Sequence, residues 1–357
     1  MAIGLLRKGK TGSMQKLLSV AIPSYNSQDY VARAIESVLP GKEKVEIIVV
    51  DDGSTDDTSK IAEEYIEKYP DIVRLVKKEN GGHGDAVMAG LGAATGLYFR
   101  VLDSDDWLDE ESLNKLLAVL EEMQDPEKAA DLVITNYVYE KVNEGKSHPI
   151  HYTKTLPTGR LFGWDEVGKW ATGSYILMHS ATYRTDLARN SGMKLPKHTF
   201  YVDHLFVCYP MMKVKKMYYL DVNLYRYFIG RADQSVNEKV MLSRMDQQLK
   251  VNRLMLYELD TDAIEDKAQR EYLYYYTEIV TLATVSFLLR LGTKEDEQVM
   301  QSFLDEIQEK RPVYYEWITK KPFTRHMIGP LRRWPHWFCY PVYRFCYQVA
   351  RRIFGFN

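Results

Sequence analysis

Cysteine is scarce. Cys208, Cys339 and Cys346 stand singly in 357 residues, and no CxxC pair occurs. That excludes a disulfide framework and predicts a chain kept in a reducing compartment. His179, His198 and His204 follow no recognised zinc spacing, so no zinc site is expected. Long apolar runs are missing as well. No stretch reaches the ~18 uncharged apolar residues of a membrane span, and the first residues lack the apolar core of a signal peptide. The expectation is a chain that faces the cytoplasm. Neither sign of charge dominates: the formal net charge is −2, which argues against a general nucleic-acid binder. No GxGxxG follows the first apolar run and no GxxxxGK[ST] occurs, which counts against dinucleotide-dependent redox chemistry and P-loop NTPase chemistry.

What is present is a globular composition, 45% hydrophobic and 27% charged, with enough chain for a sizeable core and a smaller accessory unit. Tyrosine stands out at 26 residues, many beyond position 130, which points to surfaces that are partly apolar and partly hydrogen-bonding. Apolar patterning predicts strands at residues 17–22, 45–50, 72–77, 97–102 and 131–140, alternating with helices at 28–39, 58–69, 84–92 and 111–123. Residues 141–170 are turn-rich. Helices are predicted at 180–189 and 203–212, and a strand or hairpin at 218–228. Long helical patterns follow at 240–259, 263–289 and 294–309. This alternation with short links argues for an α/β fold, a mostly parallel central sheet with helices on both faces. The division read from the sequence is a flexible extension at 1–15, an α/β domain at 16–235, a helical subdomain at 236–322 and a basic aromatic tail at 323–357.

Parallel sheets bind ligands at the carboxyl ends of their strands. The conspicuous polar clusters fall there: Tyr25-Asn26, Asp51-Asp52 and Asp103 through Asp106. Side chains two apart on extended backbone point the same way, so Asp103 and Asp105 can share a hard cation such as Mg²⁺ or Mn²⁺. The same residues also suit an acidic loop and helix cap. Asp51 and Asp52 suit a base N–H or a ribose hydroxyl, or else the turn that Gly53 permits. In Glu79-Asn80-Gly81-Gly82-His83-Gly84, glycines allow close backbone approach, and His83 suits either a phosphate or sugar contact or the start of a helix. Asp203, among aromatic residues, suits a general base or a helix cap.

Taken together, Ala21-Ile22-Pro23-Ser24-Tyr25-Asn26, Val50-Asp51-Asp52-Gly53-Ser54, Glu79-Asn80-Gly81-Gly82-His83-Gly84 and Leu102-Asp103-Ser104-Asp105-Asp106-Trp107 resemble, in order and separation, the signatures of family 2 glycosyltransferases. The resemblance covers about residues 16–235. It implies the GT-A nucleotide-diphospho-sugar transferase fold, followed here by the C-terminal helical subdomain. It also implies a UDP-sugar donor with Mg²⁺ or Mn²⁺. By that resemblance Pro23, Tyr25 and Asp52 line the uracil site, Asp103 lies beside ribose and metal, and Asp105 is the chief metal ligand of the DxD motif. Tyr201-Val202-Asp203-His204 resembles the acceptor-side segment whose Asp acts as base. Val202 stands where a Glu is usual, so that role rests on Asp203 alone, and it implies direct displacement with inversion. Residues 225–235 resemble the arginine- and serine-containing closing segment, with Arg226 or Arg231 near the diphosphate. Met178 through Thr185 resembles an acceptor-side segment of bacterial polysaccharide enzymes. The QxxRW signature of processive members is missing, so transfer of one hexose-type sugar is expected, to a saccharide or lipid-linked acceptor in cell-surface polysaccharide or glycolipid synthesis. Two alternatives stand beside this. A sugar-nucleotide nucleotidyltransferase would carry a glycine-rich basic loop where this chain has Pro-Ser-Tyr-Asn. An inactive GT-A binding module would not need Asp52, Asp103, Asp105 and Asp203 intact.

Residues 325–357 hold six arginines and no acidic residue, interleaved with aromatics. Such a tail suits contact with an anionic membrane face, consistent with a peripheral protein on the inner side of the plasma membrane. It equally suits packing on the helical subdomain.

Overall fold

The computed structural model describes residues 15–230 and 238–321, together with Thr324 and Pro341. Residues 1–14 of the expected extension, Arg231, and the basic aromatic tail apart from Thr324 and Pro341 lie outside the described residues.

The chain opens with β1 (Leu18–Ser24), α1 (Val31–Val38), β2 (Val45–Asp51), α2 (Thr58–Lys68), β3 (Val73–Lys77), α3 (His83–Ala93) and β4 (Tyr98–Val101). Every residue of β1 and β2 is buried, as expected of central parallel strands covered on both faces. These strands lie side by side in the order β3-β2-β1-β4, all parallel. Succession therefore runs outward on one side of β1 and then jumps to the other, so a switch point lies between β1 and β4. Pairing of β1 with β2 continues to Ser24↔Asp51, whereas pairing with β4 stops at Ala21↔Val101. Above Ala21 the two strands part. The Ala21 carbonyl accepts from Leu102 N on the β4 side, and Pro23, two residues on, faces the same way. Its missing N–H thus falls where the ladder has already ended and no bond is lost.

β5 (Trp107–Leu108), α4 (Glu110–Glu122), β6 (Leu132–Lys141), β7 (Lys146–Ile150), β8 (Leu161–Phe162), β9 (Ala181–Arg184), α5 (Thr185–Arg189), α6 (Asp203–Met211) and β10 (Met217–Ile229) follow. The sheet continues from β4 through β9, β6 and β10 to β5. Here it becomes mixed: β9 runs antiparallel to β4 and β6, and β10 antiparallel to β5 and β8. The helix predicted at 180–189 is corrected. Its first half is β9, with Ala181, Thr182 and Tyr183 buried between β4 and β6, and only Thr185–Arg189 is helical. A short segment inserted between two strands takes its conformation from ladder pairing rather than from its own periodicity.

The C-terminal subdomain comprises α7 (Glu238–Ser243), α8 (Met245–Tyr257), α9 (Lys267–Leu291), α10 (Lys294–Lys310) and α11 (Pro312–Lys320). The single helix predicted at 240–259 is two helices separated at Arg244. One face of α9 places Tyr272, Leu273 and Tyr276 in the main core, and Tyr274, Val285 and Leu288 join a second core with Met300, Phe303 and Ile307. No helix among the described residues is long and apolar enough to cross a membrane.

α3 lies directly on β1, and Gly90 makes this possible: a Cβ there would stand 2.6 Å from Ala21 Cβ. Gly90→Val is expected to lower unfolding free energy by about 1–3 kcal/mol through overpacking, measured by urea denaturation. An unchanged midpoint would contradict this close approach.

Candidate functional site

The parted ends of β1 and β4 leave an opening rimmed by three loops. The first rim is tied across β1 and β2. Thr55 N donates to Asn26 Oδ1 at 2.9 Å, Asn26 N to Ser54 Oγ at 3.0 Å, and Ser27 N to Thr58 Oγ1 at 2.7 Å. Asn26 takes a left-handed φ of 48°, a conformation asparagine tolerates. Tyr25 has 53% of its surface exposed, while Pro23, within β1, is buried.

The second rim hangs on Asp52, which is almost wholly buried. Its Oδ1 accepts from Gly81 N at 2.9 Å and Lys78 Nζ at 2.5 Å, and its Oδ2 from Gly82 N at 2.7 Å. Three of the carboxylate's about four acceptor sites are therefore filled by protein, and Asp52 fastens the glycine loop to the sheet. Gly82 has φ +84°, and a Cβ there would meet His198 N at 3.0 Å, so two constraints demand glycine. Asp51 serves the turn: Oδ1 accepts from Ser54 N at 2.8 Å, and Oδ2 from the Ser59 hydroxyl.

The loop delivers His83, the first residue of α3, to the centre of the opening. Its Nε2 lies 2.9 Å from Asp103 Oδ1, and its Nδ1 lies 3.9 Å from Oδ1 of Asp203, which begins α6. Burial alone would push the His83 pKa down, but the carboxylate of Asp103, with those of Asp203 and Asp105, outweighs it and raises the pKa to about 9. Burial likewise opposes ionisation of Asp103, and the His83 cation more than offsets it, leaving Asp103 below the ordinary carboxylate range.

The third rim is Asp103 through Asp106. Asp106 is fully buried. Its Oδ2 accepts from Tyr225 OH at 2.6 Å and its Oδ1 from Phe228 N at 2.7 Å, while Asp103 N donates to the same phenol oxygen at 3.1 Å. Burial, together with the charges of Asp105 and Asp103, holds the Asp106 pKa well above normal. His179 packs beside this group, its ring stacked on Tyr225 at 4.5 Å. Its Nδ1 is buried without a hydrogen-bond partner, and burial lowers its pKa, which favours the neutral ring. One ligand atom from each of Asp103, Asp106 and His179 lies within 4.8 Å of the others. Crowded carboxylates, one of them resisting ionisation, beside an unpartnered imidazole nitrogen form a donor set suited to a divalent cation. Asp105 stands half-buried in the same loop, and its carbonyl accepts from Arg33 Nη2 at 2.5 Å.

The structure thus brings His83, Asp103, Asp105 and Asp203 together, places Pro23 and Tyr25 at the end of β1, and sets Asp52 behind the glycine loop. Arg226 does not join them. Its Nη1 donates to Glu140 Oε1 at 2.9 Å and its Nη2 to Asp109 Oδ1 at 3.0 Å, on the opposite face of β10 from Tyr225. Asp106 and Tyr225 carry no role in the sequence reading beyond the segments that contain them, and His179, set aside there as a zinc ligand, joins Asp103 and Asp106 in the donor set. Asp106 was visible in the acidic run, and Tyr225 adjoins Arg226, but neither carries a periodic signal.

Residues 19–184 match the family profile described as glycosyl transferase family 2. Just under half of the chain thus resembles that family. Glycosyltransferase GlyG of Streptococcus pneumoniae serotype 4 is 37% identical over 126 residues, covering 35% of this chain and 40% of GlyG. The chain spans less than half the length of such curated relatives. The fold is shared with S. aureus TarS, solved in complex with UDP-GlcNAc, at TM-score 0.62 and 21% identity over 82% of this chain and 81% of that one. It is also shared with the mannosyltransferase PcManGT of Pyrobaculum calidifontis, solved with GDP-Man and Mn²⁺, at TM-score 0.50 and 15% identity over 90% and 88%. Asp103, Asp105, Asp106 and His179 lie inside the family match, and Asp203 and Tyr225 lie beyond it.

The pKa of His83 in the folded chain exceeds the ~6.5 of an unfolded histidine. Its contribution to stability is therefore complete below about pH 6.5 and lost as pH rises through about 9. With divalent cations removed by EDTA, the stability difference between wild type and His83→Gln should shrink across that window in urea melts. A difference constant across it would contradict the pairing.

Proposed function

We propose that this glycosyltransferase moves a single hexose-type sugar from a UDP-sugar to a hydroxyl acceptor, with inversion, in a reaction that uses Mg²⁺ or Mn²⁺. The observation that carries the reading is the disposition of two carboxylates about one imidazole. Asp103 at a strand end and Asp203 at a helix start flank His83 at 2.9 and 3.9 Å.

Exposed Tyr25, two residues after Pro23, offers a stacking face for uracil, and Asp52 holds the loop that closes the nucleotide side. Asp103 and Asp105 would hold the cation, with Asp106 and His179 adjoining them. A bound Mg²⁺ or Mn²⁺ supplies neutralisation of the negative charge that gathers on the departing diphosphate. TarS with UDP-GlcNAc and PcManGT with GDP-Man and Mn²⁺ share the fold, which supports a nucleotide-sugar donor and a divalent cation.

On the acceptor side, the Asp203 carboxylate is 41% exposed, open to an incoming hydroxyl. Asp203 takes the hydroxyl proton as the acceptor oxygen forms its bond to the anomeric carbon. The bond from that carbon to the diphosphate oxygen breaks on the opposite face, which inverts the configuration. His83, between Asp103 and Asp203, keeps Nε2 on Asp103 and leaves Nδ1 to face phosphate or sugar. The acceptor in this proposal is a saccharide or lipid-linked saccharide of a bacterial cell-surface polymer or glycolipid, reached at the inner membrane face.

Asp203→Asn is expected to keep Mn²⁺-dependent UDP binding while lowering sugar transfer by about 10²-fold or more. Transfer is followed as UDP release from a panel of UDP-sugars. Unchanged turnover in the variant would sink the assignment of Asp203 as base.

A further inference from the structure

Arg100 lies on β4, three residues before Asp103, and is fully buried. Its hydrogen-bond partners are neutral. Nη2 donates to the His179 carbonyl at 2.6 Å, Nη1 reaches Thr182 Oγ1 at 3.3 Å, and Nε has no partner. The guanidinium carbon lies 5.9 Å from the centre of the Tyr225 ring. Burial pushes the pKa down to about 10, so the group remains a cation at neutral pH. A charge buried without a counter-charge is destabilising, and an apolar side chain of similar length commonly does as well or better in such a place. Its strand neighbours Tyr98, Phe99, Val101 and Leu102 are all buried aromatic or aliphatic residues. Packing alone therefore gives no reason for an arginine.

What the guanidinium touches supplies one. It holds the His179 carbonyl and the Thr182 hydroxyl, and the Tyr225 ring lies beside it. The His179 ring stacks on Tyr225 at 4.5 Å, and the Tyr225 hydroxyl is fixed to Asp106 and to the Asp103 amide. Resting on the cation reading given above, we infer that Arg100 is a positioning residue. By gripping the His179 carbonyl and backing the Tyr225 ring, it sets where His179 Nδ1, Asp106 and Asp103 stand relative to one another.

Charge and position make opposite predictions here. Removing a buried cation beside His179 should tighten divalent-cation binding if Arg100 acts by its field. Binding should weaken if Arg100 acts by placing the ligands.

The test is Mn²⁺ alone, without nucleotide, titrated into the full chain and followed by water-proton relaxation, with the urea unfolding midpoint measured in parallel. Arg100→Met should bind Mn²⁺ at least tenfold more weakly while unfolding at the same or a higher urea concentration. Arg100→Lys, which keeps the charge but not the planar fork, should fall between Met and wild type. Should the Met variant fail to fold, weakened Mn²⁺ binding by Arg100→Lys at an unchanged midpoint carries the inference, and wild-type binding by Lys overturns it. Wild-type or tighter binding by the Met variant also overturns it. So does a parallel fall of midpoint and affinity that Lys restores, because that is the behaviour of a structural filler. If wild type binds Mn²⁺ only with UDP present, the same comparison is made with UDP; a wild-type protein that binds no Mn²⁺ either way fails at the earlier step, removing the cation reading and this inference with it.

Discussion

Above Ala21, β1 keeps its partner on one side and loses it on the other. Backbone groups that would have closed the ladder between β1 and β4 are released there, and Pro23 needs no partner at that point. This parting is where the topology of the sheet reverses, so loops from both halves converge on it. The β1 and β2 ends deliver Tyr25 and Asp52, the loop before α3 delivers His83, and the end of β4 delivers Asp103. From the mixed half of the sheet come Tyr225 and His179, and from α6 comes Asp203. A site drawn from so many separate segments depends on that one discontinuity in hydrogen bonding to be open at all.

Holding the segments in place is an electrostatic matter. Asp103, Asp105, Asp106 and Asp203 gather negative charge that would repel if nothing opposed it. His83 answers it from the solvent side, its pKa raised to about 9 by those carboxylates. Asp106 answers it by resisting ionisation beneath Tyr225. A donor diphosphate would add negative charge to this group, which is chemically sensible only if a divalent cation comes with it. The arrangement is thus balanced for arrival of a cation and its anionic ligand together, in agreement with the match of residues 19–184 to glycosyl transferase family 2.

The parts of this arrangement that could be read from residues alone were those with local signals. Val45 through Val50 announces a strand buried on both faces. The polar clusters after Ile22, Val50 and Leu102 mark the ligand end of the sheet, and their order carries the family resemblance. The second half of the site gave no such signal. Ala181 through Arg184 looked helical because a strand inserted between β4 and β6 is dictated by its neighbours. Arg226 and Tyr225 are adjacent, and only the pleat decides that the tyrosine faces the acids while the arginine pairs with Glu140 and Asp109. Asp52 looked like a ligand contact, and the structure shows that it first holds the glycine loop. Arg100 reads in sequence as one polar residue in an apolar strand, and its meaning comes from His179 and Tyr225, which arrive from far along the chain.

The central claim is that the opening between β1 and β4 binds a nucleotide diphosphate together with a divalent cation. Calorimetric titration of UDP into the wild-type protein, with Mn²⁺ and with EDTA in its place, tests it most directly, with Asp105→Asn as the companion variant. The account predicts heat of binding only when Mn²⁺ is present, and its loss in the variant. Binding of UDP that is equally tight in EDTA, or untouched by the Asp105 substitution, would contradict it.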